Sequence, residues 1–374
     1  MEKAPHAAVV TRKDGSLTES YEHIISRCSE EAVLIRVSCV ALNPSDYKVP
    51  AVVKQAGLVS GCDFAGEIVE VGTEANSLLG DSREPWKIGD RVCGAVLGAN
   101  QNKPSCGAFA QFVEADPLVL IRIPPSWDWA SAAALGGSCV GAVGQALFVE
   151  LQLSLDELKH GINSGRKPLD FGDLEKVVLV YGGSTACGTV AIQILRLAGY
   201  IPITTCSPRN QALVTSYGAV AAFDYGLSSC AQDIKAYTKG TLAFVVDCIA
   251  TVQSATLCYG AMSRGGGRYV SLEKFPESVS AIRRVVKASW VMGPLMLGGA
   301  IDIGTYRFEP DLSAREFART WFALVQLMLH NGRIKPHPVS MFTGGNDWMR
   351  VVISKLTSLA EGKVSGQKLV VSIE

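Results

Sequence analysis

The residues most able to do chemistry gather where an apolar run meets glycine. Val177 to Tyr181 leads into Gly182 and Gly183, with Ser184, Thr185, Ala186, Cys187 and Gly188 next. A buried strand that delivers the chain to small residues at a helix start leaves backbone N–H groups open to an anion, and a pyrophosphate suits that place. Gly182, Gly183 and Gly188 stand where the backbone has to turn tightly or approach the phosphates. The strict GxGxxG is absent. Gly183 and Gly188 also have the GxxxxG spacing of a P-loop, but Thr189 stands where that loop needs its lysine. A plain tight turn in an α/β sheet has the same look, so the next strand must discriminate.

That strand, Ile201 to Thr205, runs on into Cys206, Ser207, Pro208, Arg209 and Asn210. An NAD site usually places a carboxylate here for the ribose hydroxyls. None is present, and Ser207 with Arg209 suits a 2′-phosphate through charge-assisted hydrogen bonds, so the segment predicts NADP. The five histidines form no Ser/His/Asp arrangement. Eleven cysteines, an odd count without a CxxC pair, fit neither a disulfide framework nor a zinc lobe and read as packing residues.

The elements that would position these residues follow from periodicity. Residues 1 to about 125 have short Val- and Ile-rich runs at 32–42, 66–71 and 91–95, a strand-dominated domain. Asn43, Pro44, Ser45, Asp46, Tyr47 and Lys48 read as a turn, as do residues 61–66, Gly-Cys-Asp-Phe-Ala-Gly. Residues 130–151 are apolar at helical spacing, and 156–173 read as a helix end and an exposed loop. From Val177 strands alternate with helices: a helix at 187–197, then strands at 201–205, 221–223, 243–247 and 267–272, which predicts a parallel sheet covered on both faces. A long helix at 315–330 and a strand at 368–373 close the chain, the tail rejoining the first domain. The expected fold class is α/β: a β-rich domain from residues 1–150 and 306–374, and a doubly wound domain from 151–305.

A chain of 374 residues is too long for one ordinary core, which agrees with two domains. Thirty-five basic and 35 acidic side chains give no net charge and no general attraction to nucleic acid. No stretch is read as reaching the ~18–20 uncharged apolar residues of a membrane span, and residues 1–10 lack a secretory core, so a cytosolic protein is expected.

With these motifs in place, the chain resembles the medium-chain dehydrogenase/reductase superfamily, a GroES-like domain joined to a Rossmann domain. Its zinc alcohol dehydrogenases carry a cysteine at the position of Asn43 and GHE at Gly61, Cys62 and Asp63, so the resemblance implies a zinc-independent member. Asn43 to Lys48 (NPSDYK), Val180 to Ala186 (VYGGSTA), Gly199 to Asn210 (GYIPITTCSPRN), Phe223 to Tyr225, Asp247 to Ile249 and Tyr269 to Leu272 resemble the fungal stand-alone enoyl reductases that act in trans on iterative polyketide synthases or polyketide-peptide hybrids. That resemblance implies an NADPH site made by Ser45, Asp46, Tyr47, Lys48, Ser184, Thr185, Ala186, Cys187, Ser207, Pro208, Arg209, Asn210, Tyr225, Leu272, Glu273, Val364 and Ser365. It implies substrate surfaces at Ala133, Ala134, Leu135, Gly136, Gly137, Ser138, Cys139 and Val140, and at Gly293, Pro294, Leu295, Met296 and Leu297. A monomer is implied too. One departure is that the threonine which relatives carry near residues 138–142 is absent; those residues read Ser-Cys-Val-Gly-Ala.

The expected reaction is hydride transfer from NADPH to the β-carbon of an α,β-unsaturated acyl thioester on a carrier protein, with protonation at the α-carbon. Lys48 is the candidate for cofactor positioning or electrostatic help, Tyr47 and Ser138 for hydrogen bonding, and Arg283, Arg284 and Lys287 for a basic rim facing an acidic carrier. Two other readings share the cofactor motif: a free-standing NADPH reductase of quinones or small enones, and a non-catalytic NADPH-binding subunit.

Overall fold

The computed structural model describes residues 5–24, 28–80, 83–164, 174–275 and 277–373. Two compact units emerge, residues 1–141, 294–326 and 336–374 in the first and 142–293 with 327–335 in the second. In chain order the first unit opens with strands β1 (His6–Thr11), β2 (Leu17–His23) and β3 (Val33–Ala41), helix α1 (Ser45–Val53), then β4 (Asp63–Val71), β5 (Arg91–Ala95), β6 (Phe112–Ala115) and β7 (Ile121–Arg122). Two consecutive helices, α2 (Trp129–Leu135) and α3 (Gly137–Gly144), follow.

The second unit holds α4 (Leu155–Ser164), β8 (Val177–Tyr181), α5 (Ala186–Leu197), β9 (Ile201–Thr205), α6 (Gln211–Ser216), β10 (Ala221–Phe223), α7 (Cys230–Tyr237), β11 (Phe244–Asp247), α8 (Val252–Ala261), β12 (Gly267–Ser271), α9 (Glu277–Ser280) and β13 (Val286–Trp290). The chain ends with β14 (Ile301–Ile303), β15 (Tyr306–Phe308), α10 (Leu312–His330), β16 (Val339–Thr343), α11 (Trp348–Ala360) and β17 (Lys368–Ser372).

In the second unit six strands pair in parallel in the order β10-β9-β8-β11-β12-β13. Renumbered within the unit, this is 3-2-1-4-5-6, the doubly wound order in which a crevice opens at the carboxyl ends between the first and fourth strands. β8 and β9 are buried along their whole length, as central strands of a parallel sheet covered on both faces are.

The first unit is built on β3, whose Cys39–Ala41 end pairs antiparallel with β17 while Val33–Arg36 pairs with β6. β4 and β5 continue the sheet on the other side. The C-terminal strand β17 therefore lies between β16 and β3, and α11 packs Trp348, Met349, Val352 and Leu356 into the same core as Val33, Phe64 and Val371.

Three expectations change. Asn43 to Lys48 is not a simple turn: Ser45 opens α1, with Pro44 at its N-cap position. Asn, Pro, Ser and Asp favour turns and helix starts alike, because both leave amides that short polar side chains can satisfy. Residues 61–66 are likewise a turn only as far as Cys62, since Asp63 already pairs with Ala41 in β4. Finally, Trp129–Glu150 is a 22-residue helical stretch long and apolar enough to cross a membrane by composition, but 78% of its apolar length is buried in the fold. It is a core element rich in alanine and glycine. Of the loop expected at 156–173, residues 165–173 lie outside the described residues.

Candidate active site

In the second unit the glycine turn is bolted to the neighbouring strand. Gly182 N donates to Thr205 Oγ1 at 3.1 Å and Gly183 N to the Thr205 carbonyl at 3.0 Å. Thr204 Oγ1 donates to the Val180 carbonyl at 2.6 Å. Gly183 is required by this closeness, since a Cβ there would stand 1.9 Å from Thr204 Oγ1. Thr185 then caps α5, its hydroxyl oxygen accepting from Gly188 N at 3.0 Å while its O–H donates to the Gly182 carbonyl at 2.8 Å. The first turn of α5 thus presents small residues and a positive helix end at the carboxyl edge of β8, the arrangement that holds a pyrophosphate. Ser184, Thr185, Ala186 and Cys187 are all half-buried there.

Because the strands are parallel, the other expected residues of this unit reach the same edge. Ser207, Pro208, Arg209 and Asn210 follow β9, with Asn210 Nδ2 donating to Ser207 Oγ at 3.2 Å and Arg209 exposed. Tyr225 follows β10 and is 49% exposed, its ring 6.2 Å from that of Tyr181. Leu272 and Glu273 follow β12, and Leu272 N donates to the Asp247 carbonyl at 3.0 Å.

At the end of β11 lies a residue that the sequence reading named only as part of a motif. Asp247 is fully buried, and its Oδ2 accepts from Ser254 Oγ at 2.6 Å and Tyr269 OH at 2.8 Å. Its Oδ1 accepts from Ile249 N at 2.9 Å and Ala250 N at 3.0 Å, shaping a loop in which Ala250 has φ +59°. Burial and the adjacent carboxylate push the Tyr269 phenol far up, so it stays a donor. Thr204 and Thr205 were named only as the end of the second strand, without their role in holding the glycine turn. Two hydroxyl residues at the end of a buried apolar strand were the available signal.

In the first unit, α1 carries Ser45, Asp46, Tyr47 and Lys48. Lys48 is exposed, Tyr47 packs against the core, and Asp46 is only 2% exposed, so its carboxyl shapes the segment from within. Asn43 N donates to Asp46 Oδ2 at 2.7 Å, and Ser45 Oγ lies 3.8 Å from Cys62 Sγ. Burial pushes the Asp46 carboxyl up to about 7, with the Asp63 carboxylate adding to the effect. Burial also raises the Cys62 thiol, which is therefore no ready nucleophile.

Ala133, Ala134, Leu135, Gly136, Gly137, Cys139 and Val140 are buried, and of that run Ser138 alone is partly exposed. Trp321 Nε1 donates to the Val140 carbonyl at 2.9 Å. Gly293, Pro294, Leu295 and Leu297 are half-buried, while Met296 is buried with its Cε 2.5 Å from where a Cβ on Gly141 would stand. Met296 of the second expected substrate segment therefore packs against Gly141, the residue that follows the first. Val364, half-buried against the core, and Ser365, exposed, precede β17. Among the described residues no group of three or more His, Cys, Asp or Glu is placed to hold a metal ion. Arg283 binds the Tyr259 and Ser263 carbonyls, leaving Arg284 and Lys287 as the exposed cations of the expected rim.

The alcohol dehydrogenase GroES-like domain family matches residues 29–125. The trans-enoyl reductase ucsL of Acremonium sp is 48% identical over 98% of this chain and 96% of its own length, and the trans-enoyl reductase mpsG of Macrophomina phaseolina is 41% identical over 98% of both. The chain belongs to the trans-enoyl reductases of the medium-chain dehydrogenase/reductase superfamily. Among solved structures, the CurK enoyl reductase superposes with a TM-score of 0.71 at 17% identity over 99% of both chains. The quinone oxidoreductase from Coxiella burnetii gives 0.68 at 19% identity, again over 99% of both. This trans-enoyl reductase is accordingly an oxidoreductase of C=C bonds in fungal polyketide secondary metabolism, one that uses a nicotinamide cofactor and works with a polyketide synthase.

Proposed function

We propose that this trans-enoyl reductase takes hydride from NADPH, reducing the α,β-unsaturated bond of a polyketide acyl thioester carried on an acyl carrier protein. The observation that carries the cofactor choice is the end of β9, where Ser207 and an exposed Arg209 stand beside the glycine turn with no carboxylate among residues 206–210. The residues present fit a dinucleotide: the Gly183–Thr204 closeness leaves the turn without side chains, and Thr185 holds the helix start open toward an anion. When bound, the nicotinamide supplies the hydride, and the thioester oxygen takes up the charge until the α-carbon is protonated.

The chain's own groups divide the work. The first turn of α5 binds the pyrophosphate, Ser207 and Arg209 take the 2′-phosphate, and Tyr225 offers an exposed ring to the adenine. Lys48 helps to position the cofactor and gives electrostatic help from α1, so Lys48→Ala should lower kcat about tenfold and weaken NADPH binding as well. Ser138 and the Gly293–Leu297 segment face the acyl chain. The enzyme acts as a cytosolic monomer, with Arg284 and Lys287 available to an acidic carrier.

The test is NADPH consumption with a pantetheine-linked α,β-unsaturated acyl thioester, run against NADH and against a simple quinone. Saturated thioester formed with NADPH in preference to both controls supports the reading. Faster turnover of the quinone, or NADPH binding without turnover, overturns it.

A further inference from the structure

Both expected site segments of the first unit hang from one buried carboxylate. Asp63, the first residue of β4, is fully buried. Its Oδ1 accepts from Ser138 N at 2.9 Å, and its Oδ2 accepts from Asn43 Nδ2 at 2.9 Å. Asn43 opens the segment that becomes α1, and Ser138 lies just after the turn between α2 and α3. Gly136 lets the carboxylate come this close: its φ is +51°, and a Cβ there would stand 2.4–2.7 Å from the Asp63 carboxyl atoms.

The cation that answers Asp63 comes from the far end of the chain. Lys368, at the start of β17, has a side chain only 9% exposed and places Nζ 3.8 Å from Asp63 Oδ2 while donating to Asn43 Oδ1. Asp46 lies close by, but its burial favours the protonated form, so one ammonium faces one carboxylate. The positions where zinc alcohol dehydrogenases carry metal-site residues, Asn43 and Asp63, thus close on an ammonium supplied by the chain itself. A buried charge with fixed partners has few alternative arrangements, so its partners are fixed as well.

We infer that Asp63, clamped by Lys368, is a positioning residue of enoyl reduction: it sets the α1 segment and the Gly136–Ser138 turn in one arrangement. The inference rests on the reading of those segments as cofactor and substrate elements. Asp63 touches neither ligand; it acts through Asn43 and Ser138.

The test uses the full chain with Asp63→Ala combined with Lys368→Met, which removes both charges and leaves neither unpaired. Circular dichroism and thermal melting establish that the variant is folded, and KM and kcat are measured for the enoyl thioester and for NADPH, with NADPH binding also followed by fluorescence titration. The expected result is a rise in both KM values of about tenfold or more, as lost hydrogen bonds to a charged group would give. Lys368→Arg, which keeps the cation, should stay within about threefold of wild type. A purely structural role would lower the melting temperature and leave both KM values unchanged in folded protein, and that outcome overturns the inference. If the double variant does not fold, Asp63→Asn decides: it retains one accepting oxygen, so the KM of one ligand should rise and not that of the other, and two unchanged values overturn the inference. Wild-type protein that fails to reduce the thioester refutes the proposed function instead, and the NADPH titration of the variants still tests Asp63.

Discussion

Replacing Asp46 by asparagine should change how the stability of the first unit depends on pH. The carboxyl is 2% exposed, its Oδ2 accepts from Asn43 N, and its Oδ1 is buried without a hydrogen-bond partner. Burial lifts it from 3.8 to about 7, so the folded protein keeps the proton that the unfolded chain has lost above pH 4. Between those values the folded state binds more protons, and stability falls as pH rises, levelling off once pH passes the folded value. At about 1.4 kcal/mol per pH unit, full ionisation costs wild type about 4 kcal/mol, of which about 2.5 kcal/mol accrues between pH 5 and pH 8. Asparagine keeps an acceptor for Asn43 N and has nothing to ionise. The buried His337, held down to about 4 by desolvation and the Lys368 ammonium, acts in the opposite sense, losing stability below its unfolded value, but is present in both proteins and cancels in the comparison. Urea unfolding at pH 5 and pH 8 can be followed by tryptophan fluorescence, which reports mainly on the first unit because Trp86, Trp127, Trp129, Trp321 and Trp348 lie there and Trp290 alone lies in the second. The variant should gain about 2.5 kcal/mol on wild type between the two pH values. Parallel stabilities at both would refute an uncharged, desolvated Asp46.

Three further outcomes follow from the second unit. Arg209→Glu should raise the KM for NADPH by about 10- to 100-fold, the worth of a lost charge-assisted hydrogen bond plus repulsion, and leave that for NADH nearly unchanged in parallel assays. Gly183→Ala drives a Cβ to 1.9 Å from Thr204 Oγ1; the turn must shift, and calorimetric titration should show NADPH affinity down by about tenfold or more. Asp247→Ala leaves the buried Tyr269 hydroxyl without its acceptor, at about 1–3 kcal/mol, while Ser254 Oγ keeps the Thr251 carbonyl. Its melting temperature should fall and NADPH binding weaken together, since the 248–251 loop loses the carboxylate that shapes it.

How much of this was legible in the sequence depends on whether the signal was local. Five of the six strands of the doubly wound unit were readable, beginning with the uninterrupted apolar run Val177–Tyr181 and its glycine turn and helix; β13 was not, because Lys287 and Ser289 break its apolar pattern. The return of the tail was readable from the apolar run that starts at Lys368. The start of α1 was not, because Asn-Pro-Ser-Asp serves a turn and a helix N-terminus equally well. The membrane-length stretch Trp129–Glu150 was overlooked because serine, glycine and glutamine dilute its apolar character. The polar cluster around Asp63 was the least legible. It joins residues 43, 63, 138 and 368, and only pairing of β17 with β3 brings Lys368 to it. A charged residue just before a short apolar run, Asp63 before residues 64–66 and Lys368 before residues 369–371, was the available hint.

The central claim, hydride delivery to an enoyl thioester from NADPH, is tested most directly by isotope transfer. NADPH deuterated at the transferable C4 position is incubated with the enzyme and a pantetheine-linked enoyl thioester, and the product is analysed by mass spectrometry and deuterium NMR. One deuterium at the β-carbon, with the α-proton drawn from solvent, is the predicted result. Deuterium absent from the thioester, or found at the α-carbon, would contradict it.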